Sequence, residues 1–261
     1  MLERARGNGG RPPLCGLRRL YGGPSHHAKV RARFLKAPLT LAALTPLALS
    51  LYIASLATIA TAVLGIAIAS FLANTRFPGR EWVDVVVTAP IVLPPTVLGY
   101  YLLVALGRRS VLGHGFEATF GSPIVFTRTG AVVAAVVGAL PRVVKSGRAA
   151  IESVDGTFVS AARTLGASPL RALLSVQLPL ARRGIMAAVM LAFARSLGDF
   201  GITLMVAGDI PGQTQTASLA IYDAIQENND AAAFTMAVTL TAIALFILYA
   251  ANKLTGDRDG A

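Results

Sequence analysis

The chain has 261 residues, of which 54% are hydrophobic and 14% charged, so it is more apolar than soluble proteins usually are. Its net charge of +11 does not indicate nucleic-acid binding, because its 24 lysines and arginines flank apolar runs, as lipid headgroups and the positive-inside rule would require. Cys15 is the only cysteine, which excludes an intrachain disulfide and a cysteine-cluster metal site, and the three histidines are too scattered to hold a metal.

The first apolar stretch follows a basic tail. Residues 1–36 are rich in Gly, Pro and Arg without apolar periodicity, which predicts disorder. Residues 46–73 form an apolar run of 28 residues. This run is too long for the cleavable core of a signal peptide, roughly 7–15 residues. It is long enough to cross a bilayer, which needs about 20 residues. We therefore expect the first membrane span here.

Four more apolar stretches predict further spans. The second, 83–106, contains Pro90, Pro94 and Pro95, each of which removes a backbone donor and obstructs a helix. A break of this kind is either a structural kink or part of a pathway, where protein or water can satisfy the freed carbonyls. Residues 107–123 are Gly-rich and predict a loop. The remaining spans are expected at 124–144, 184–207 and 231–251.

Charge asymmetry predicts the orientation of these spans. Residues 142–183 carry seven basic side chains, whereas 208–230 carry four acidic and no basic ones. The first segment is therefore expected in the cytoplasm and the second outside. Since three spans precede the cytoplasmic segment 142–183, the N-terminus is expected outside. This conflicts with the nine basic residues of 1–36, which favour the cytoplasm. Either that tail is absent from the mature protein, its start having been assigned too far upstream, or it contradicts this topology.

The most specific signal is a polar stretch, 158–179, between the third and fourth spans. Gly166 is expected to end a short helix over 161–165, because glycine readily takes the left-handed conformation. Ser168 can cap a second helix, with Pro169 at its first position. We call this pair of helices the elbow. It is either a rigid corner that contacts a partner or an ordinary cytoplasmic hairpin.

The predicted fourth span contains the charged residues Arg195 and Asp199. Being four apart, they share a helix face and can pair. Charges inside a span favour a functional hypothesis, but the pair can also simply neutralise itself and hold neighbouring helices together. Gly198 and Gly201 beside them allow close approach of another helix.

No catalytic site is visible in the sequence. It contains no Gly-Lys dipeptide, so it lacks the phosphate-binding loop of ATPases, and any nucleotide-driven work is expected of a partner. A membrane-embedded enzyme would need a convergent acid, base or nucleophile set, which is missing. An ion-coupled secondary carrier is disfavoured by the scarcity of acids in the spans.

The elbow resembles the Glu-Ala-Ala loop shared by permease subunits of binding-protein-dependent ABC importers. Ala161-Ala162, Gly166 and Leu178-Pro179 have the spacing of that loop, whereas Ser160 replaces its leading Glu and Val176 its usual Ile. The resemblance implies that the elbow is a coupling helix that docks on an ATP-binding subunit. The coupling residues that it implies are Ser160, Ala161, Ala162, Arg163, Thr164, Leu165, Gly166, Ala167 and Pro179.

Within that family the chain is most similar to the molybdate permeases. The similar stretches include 77–79, 90–100, 161–167, 192–201 and 210–216. The resemblance implies the all-α, polytopic fold of type I importer permeases, with about five transmembrane helices and a cytoplasmic coupling helix. It implies one permease domain over 37–254, flanked by tails at 1–36 and 255–261, in the plasma or inner membrane of a bacterium.

The resemblance also implies what the subunit works with. We expect a homodimer, two ATP-binding subunits, an external solute-binding protein and an oxyanion substrate, which is molybdate or alternatively tungstate or sulfate. No metal or cofactor is expected on this chain, since ATP is used by the partner subunit. The residues expected along the translocation path are Pro94, Pro95, Arg195, Asp199 and Gly201.

Overall fold

The computed structural model describes residues 41–75 and 77–256, and in that part of the chain all regular structure is helical. The tail predicted at 1–36 lies outside these residues. The helices are α1 (Leu41–Asn74), α2 (Arg80–Val92), α3 (Pro95–Leu106), α4 (Val111–Phe120), α5 (Arg128–Glu152), α6 (Gly156–Thr164), α7 (Pro169–Leu180), α8 (Arg182–Leu197), α9 (Gly201–Ala207), α10 (Ala217–Gln226) and α11 (Asp230–Gly256).

Within the described residues, three helices are long and apolar enough to cross a membrane singly, namely α1, α5 and α11. Two further pairs qualify only if each counts as one bent span. The pair α2 and α3 bends by 116° and the pair α7 and α8 by 75°. The total is therefore three to five spans, which agrees with the prediction of about five, although the second pair counts α7, a helix of the elbow predicted in the cytoplasm, as half of a span. The helix break expected from the prolines of 83–106 is confirmed.

Two expected segments differ from the structure, and a third contains a helix that was not predicted. The predicted loop 107–123 contains α4, whose first turn is capped by Ser110, because the Ser110 hydroxyl accepts a hydrogen bond from Gly113 N at 2.9 Å. The acidic segment 208–230 likewise contains α10. The predicted fourth span, 184–207, is not one helix, since α8 ends at Leu197 and α9 begins at Gly201.

The core is built around α5, which packs against both α1 and α8. Its buried face consists largely of small residues, whose short side chains let neighbouring helices approach closely in a membrane. Leu49 and Ile53 of α1 pack against Ala131 and Ala135 of α5 at one end. At the other end Ala69 of α1 packs against Ile151 of α5. This small-residue packing holds α1 against α5 at both ends.

The contact between α5 and α8 depends on Gly184, because a Cβ added there would lie 2.4 Å from the Ala150 Cβ. We expect Gly184→Ala to destabilise the protein by about 1–3 kcal/mol through overpacking. Alanine is otherwise the better helix former, so helix propensity cannot explain a loss. In Gly147→Ala, the matched control, the added Cβ meets Ala69 at an ordinary 3.4 Å. Equal melting temperatures for the two variants in detergent would contradict this account.

Candidate functional site

The elbow has the turn geometry predicted for it, although its first helix runs over Gly156–Thr164 rather than the predicted 161–165. Gly166 has a φ of +87°, the left-handed conformation. Gly166 N donates to Arg163 O and Ala167 N donates to Ala162 O, both at 3.0 Å, so the last carbonyls of α6 are satisfied. Ser168 caps α7 by accepting a hydrogen bond from Arg171 N, and Pro169 stands at the first helical position. Both halves of the elbow are therefore fixed by hydrogen bonds within the loop.

The tip of the elbow exposes large apolar side chains. Leu165 is 89% exposed, and Phe158, Leu170 and Leu174 are also mostly exposed. Arg163 is an exposed basic residue among them. An apolar surface with a charged rim is typical of a protein-binding site. Of the predicted coupling residues, only Ala162 and Ala167 are partly covered, and the others are exposed.

The base of the elbow, in contrast, is fixed in the core. Leu178 packs against the cluster of Ala69, Ile151 and Ala181, so α7 is held at its C-terminal end. Residues Leu173–Gln177 form a π-helical stretch inside α7, and Gln177 is buried. Such stretches are frequent at functional sites. This feature could not be predicted from the sequence, because the residues of the π-helical stretch are equally common in ordinary α-helices.

The charged pair lies where α8 gives way to α9. Arg195 Nη1 lies 2.7 Å from Asp199 Oδ1, which confirms that the two side chains pair. Asp199 is only 2% exposed, whereas the Arg195 side chain is 23% exposed. The second oxygen of Asp199, Oδ2, accepts hydrogen bonds from Thr203 N at 3.0 Å and Thr203 Oγ1 at 2.6 Å. The carboxylate thus joins the end of α8 to the first turn of α9.

The backbone at this break is held by a third helix. Asp199 O accepts a hydrogen bond from Ser218 Oγ of α10 at 2.8 Å. Thr203 and Ser218 were not among the predicted site residues. Ser218 is 19 residues from Asp199 in sequence. Thr203 contacts Asp199 across a helix break that the continuous apolar pattern does not indicate. The break is therefore a built feature that links α8, α9 and α10 through one residue.

The two helix breaks lie side by side. A Cβ added at Gly201, the first residue of α9, would meet the Pro95 Cβ at 3.0 Å. A Cβ added at Gly99 of α3 would likewise meet the Met205 Cβ of α9, at 2.8 Å. Pro94 and Pro95 are exposed, while Gly201 is buried. The structure thus brings Pro95 and Gly201 together, and Arg195 with Asp199, where the break between α2 and α3 adjoins the break between α8 and α9.

A network of charges joins α2 to α5 at the end of the molecule that carries the elbow. Arg80 of α2 lies 2.9 Å from Glu152 of α5, which also pairs with Arg148 at 2.8 Å. Arg148 in turn lies 3.3 Å from Asp84. These pairs were not predicted from the sequence. They fix the first half of the bent span against the central helix.

The opposite end of α5 holds the turn over 208–216. Arg128, the first residue of α5, donates to the carbonyls of Gly212 and Gln213, both at 3.1 Å. Thr214 is fully buried, and its hydroxyl accepts a hydrogen bond from Ile210 N. Burial raises the pKa of Asp209 in this turn to about 6, and a hydrogen bond and the charge of Asp223 act in the same direction.

This raised pKa predicts a pH dependence of stability. Between the ordinary value of 3.8 and about 6, the folded protein binds more protons at Asp209 than the unfolded chain does, so stability falls as the pH rises through this range. We expect Asp209→Asn to flatten the profile, and the melting temperature at pH 4 to 7 would show it. Asp230→Asn, at an exposed acid, should leave the slope unchanged. The same slope in wild type and Asp209→Asn would contradict the assignment.

Neither the elbow nor the helix breaks bring together metal ligands. Among the described residues no group of three or more His, Cys, Asp or Glu side chains could hold a metal ion. What the geometry can do is mechanical and electrostatic. The elbow exposes apolar side chains at the start of α7. Helix α8, which follows α7 directly, carries the partly exposed guanidinium of Arg195 at its far end.

Comparison of the sequence with known proteins gives a consistent result. Residues 61–258 match the family model described as binding-protein-dependent transport system inner membrane component. The molybdenum transport system permease protein ModB of Escherichia coli K12 is 40% identical over 216 residues, covering 81% of this chain and 94% of the relative. A putative molybdenum transport permease of Bacillus subtilis is 35% identical, covering 78% and 90%. The sulfate transport permease CysT of Salmonella typhimurium is 34% identical, covering 78% and 74%.

Solved structures share the fold. A bacterial ABC transporter that imports the polysaccharide alginate superposes with a TM-score of 0.72 at 15% identity, covering 95% of this chain and 90% of that one. The inward-facing MetNI methionine ABC transporter superposes with a TM-score of 0.65 at 19% identity, covering 81% and 94%. The all-α, polytopic fold of importer permeases predicted from the sequence is therefore confirmed.

Proposed function

The chain belongs to the family of inner membrane components of binding-protein-dependent transport systems, and from this premise we propose that it forms the transmembrane pathway of an ATP-driven molybdate importer. The observation that carries the proposal is the elbow, an exposed and glycine-hinged corner on a multi-pass membrane protein whose sequence lacks the phosphate-binding loop of an ATPase. Molybdate is favoured because the molybdenum permeases are the more similar relatives. Tungstate and sulfate are the alternatives.

We infer a set of partners from the same premise. An ATP-binding subunit would dock on each elbow, where Leu165, Leu170 and Arg163 are exposed. An external solute-binding protein would deliver the oxyanion at the opposite end. Two copies of this chain would form a homodimer with the pathway along its axis, in the plasma or inner membrane of a bacterium. ATP would be used by the partner, and this chain would bind no cofactor.

The order of the helices suggests how motion at the elbow would reach the pathway. Closing of the ATP-binding subunits would push α7, which continues through a 75° bend into α8. Helix α8 packs on α5 along much of its length and carries Arg195 in its last turn. A rigid movement of α7 and α8 would therefore displace the charged pair and, through Asp199, α9. Such a switch requires that the nucleotide favour one of the two states.

The proposed path runs past the two helix breaks. Arg195 is the group we assign to the oxyanion, because its side chain is partly exposed, whereas Asp199 is buried and would act on the path through Arg195. Pro94 and Pro95 would line the path from the other break, and Gly201 would let the breaks approach each other. Because Asp199 neutralises much of the charge, a molybdate dianion would be attracted without being trapped.

Uptake by vesicles tests the proposal. The chain is reconstituted with its ATP-binding subunit and binding protein, and accumulation of molybdate is measured with ATP, with a non-hydrolysable analogue and with an ionophore. We expect uptake that needs ATP hydrolysis and survives the ionophore. Transport that continues without ATP but stops when the ion gradient collapses would instead identify a secondary carrier. Tungstate and sulfate, tested on the same vesicles, would settle which oxyanion most strongly stimulates ATP hydrolysis.

A further inference from the structure

A cavity of ≈ 670 Å³ lies between the end of α3 and the start of α5, at the end of the molecule away from the elbow. Its wall includes the apolar side chains of Leu103, Val104 and Val125, and its rim carries Arg108 and Arg109. The volume is within the range of roughly 300–1,000 Å³ that ligand sites usually have. Neither the elbow nor the charged pair uses this cavity.

The rim carries positive charge that the protein only partly compensates. Arg108 Nη2 lies 3.3 Å from Glu117 Oε1, and both side chains are at the surface, so this ion pair contributes little to stability. Arg109 is exposed and has no salt bridge to any residue that the structure describes. An anion at the rim would therefore meet one unpaired guanidinium and a second that is held loosely.

The surface beside the cavity is apolar. Val104 of α3 is 57% exposed, and at the start of α4 Val111 is 90% and Leu112 64% exposed. On the same short helix Phe116 stacks on Phe120, with ring centroids 4.4 Å apart. A short helix with exposed apolar residues next to arginines is typical of a segment that lies in the membrane interface. An exposed apolar surface thus adjoins the arginine rim of the cavity.

We propose that this cavity binds an anionic phospholipid, with the phosphate between Arg108 and Arg109 and one acyl chain along the wall of Leu103, Val104 and Val125. A small hydrated oxyanion has no apolar surface to bury against the wall. A phospholipid can bury an acyl chain against the wall while its phosphate interacts with the rim arginines. Under the topology expected from the loop charges, the lipid belongs to the outer leaflet. The proposal does not depend on what the protein transports.

Lipid retention tests this site directly. The full-length chain is placed in nanodiscs of phosphatidylcholine with a minor fraction of phosphatidylglycerol, and retained phosphatidylglycerol is counted by native mass spectrometry. Each arginine near an anionic headgroup contributes about fivefold in affinity, so we expect the Arg108→Ala/Arg109→Ala variant to bind phosphatidylglycerol about 25-fold more weakly. The single Arg109→Ala variant removes no ion pair and should still show about fivefold weaker binding.

Two further variants sharpen the test. Arg171→Ala removes an exposed arginine from the elbow, away from the cavity, and should retain phosphatidylglycerol as the wild type does. Val104→Asp keeps both rim arginines but repels an acyl chain, so it should also lower retention. Unchanged retention in the double arginine variant would overturn the proposal. Displacement of phosphatidylglycerol by millimolar molybdate would also overturn it. The same holds if the arginine variants impair docking of the binding protein and leave lipid retention unchanged.

Discussion

Replacing Gly166 with valine is expected to abolish the stimulation of ATP hydrolysis by the loaded binding protein, while the chain still inserts into the membrane. Gly166 has a φ of +87°, which costs an ordinary L-residue roughly 1–2 kcal/mol and is still less accessible to a β-branched one. No heavy atom lies within 4 Å of the added Cβ, so the substitution acts on the backbone alone. The measurement is ATPase activity of the reconstituted complex with and without loaded binding protein.

Gly156→Val is the matched control for this prediction. Gly156 is the first residue of α6, has an ordinary φ and also has open space around its Cβ position. It should retain the stimulation. Gly166→Asn should lose less than valine does, because asparagine tolerates the left-handed region. A normal response in Gly166→Val would mean that the shape of the elbow does not matter for coupling.

The elbow could be predicted from the sequence because its determinants are local. A glycine in the left-handed conformation, a serine cap and a proline at the first helical position act within a few residues and need no tertiary support. The pairing of Arg195 with Asp199 was predictable for a similar reason, since a spacing of four residues brings the groups together even where α8 gives way to α9.

Features set by tertiary contacts were not predictable. Helix α4 forms in a stretch with several glycines, which normally disfavour helices. Gly113 is nevertheless required there, since a Cβ would lie 2.1 Å from Gly107 O, so the turn before α4 closes tightly only around glycine. The break between α8 and α9 has no proline to announce it. It is held instead by Thr203 and Ser218 on Asp199, contacts that a hydropathy pattern cannot contain.

A predictable feature and an unpredictable one lie on the consecutive helices α7 and α8. The predictable elbow lies on α7, the unpredicted break lies at the far end of α8, and the two helices are joined at Ala181, which is buried in the core. Displacement of the elbow can therefore reach the break without passing through a loop. The break between α8 and α9 either only connects the two helices or also forms part of the pathway. Variants of Arg195 and Asp199 can distinguish these roles, because their effects on stability and on transport can be measured separately.

Replacing Asp199 with alanine is expected to destabilise the protein by about 3–5 kcal/mol, because it leaves the partly buried Arg195 without its partner. The change also removes the acceptor of two hydrogen bonds from Thr203 at the start of α9. Arg195→Gln should destabilise as well, because the Asp199 carboxylate is 2% exposed and loses its counter-charge. Thermal unfolding of the purified variants in detergent measures both effects.

The neutral double variant Arg195→Gln/Asp199→Asn separates structure from transport. It keeps side chains that can hydrogen-bond to each other and to Thr203, and it removes both charges, so most of the stability should return. If Arg195 attracts the oxyanion, this well-folded variant should nevertheless lose most of its ATP-dependent molybdate uptake. Uptake at the wild-type rate would show that the pair only fastens α8 to α9. In that case the pathway would have to be sought at the exposed prolines of the neighbouring break, where Pro94→Ala and Pro95→Ala become the decisive variants.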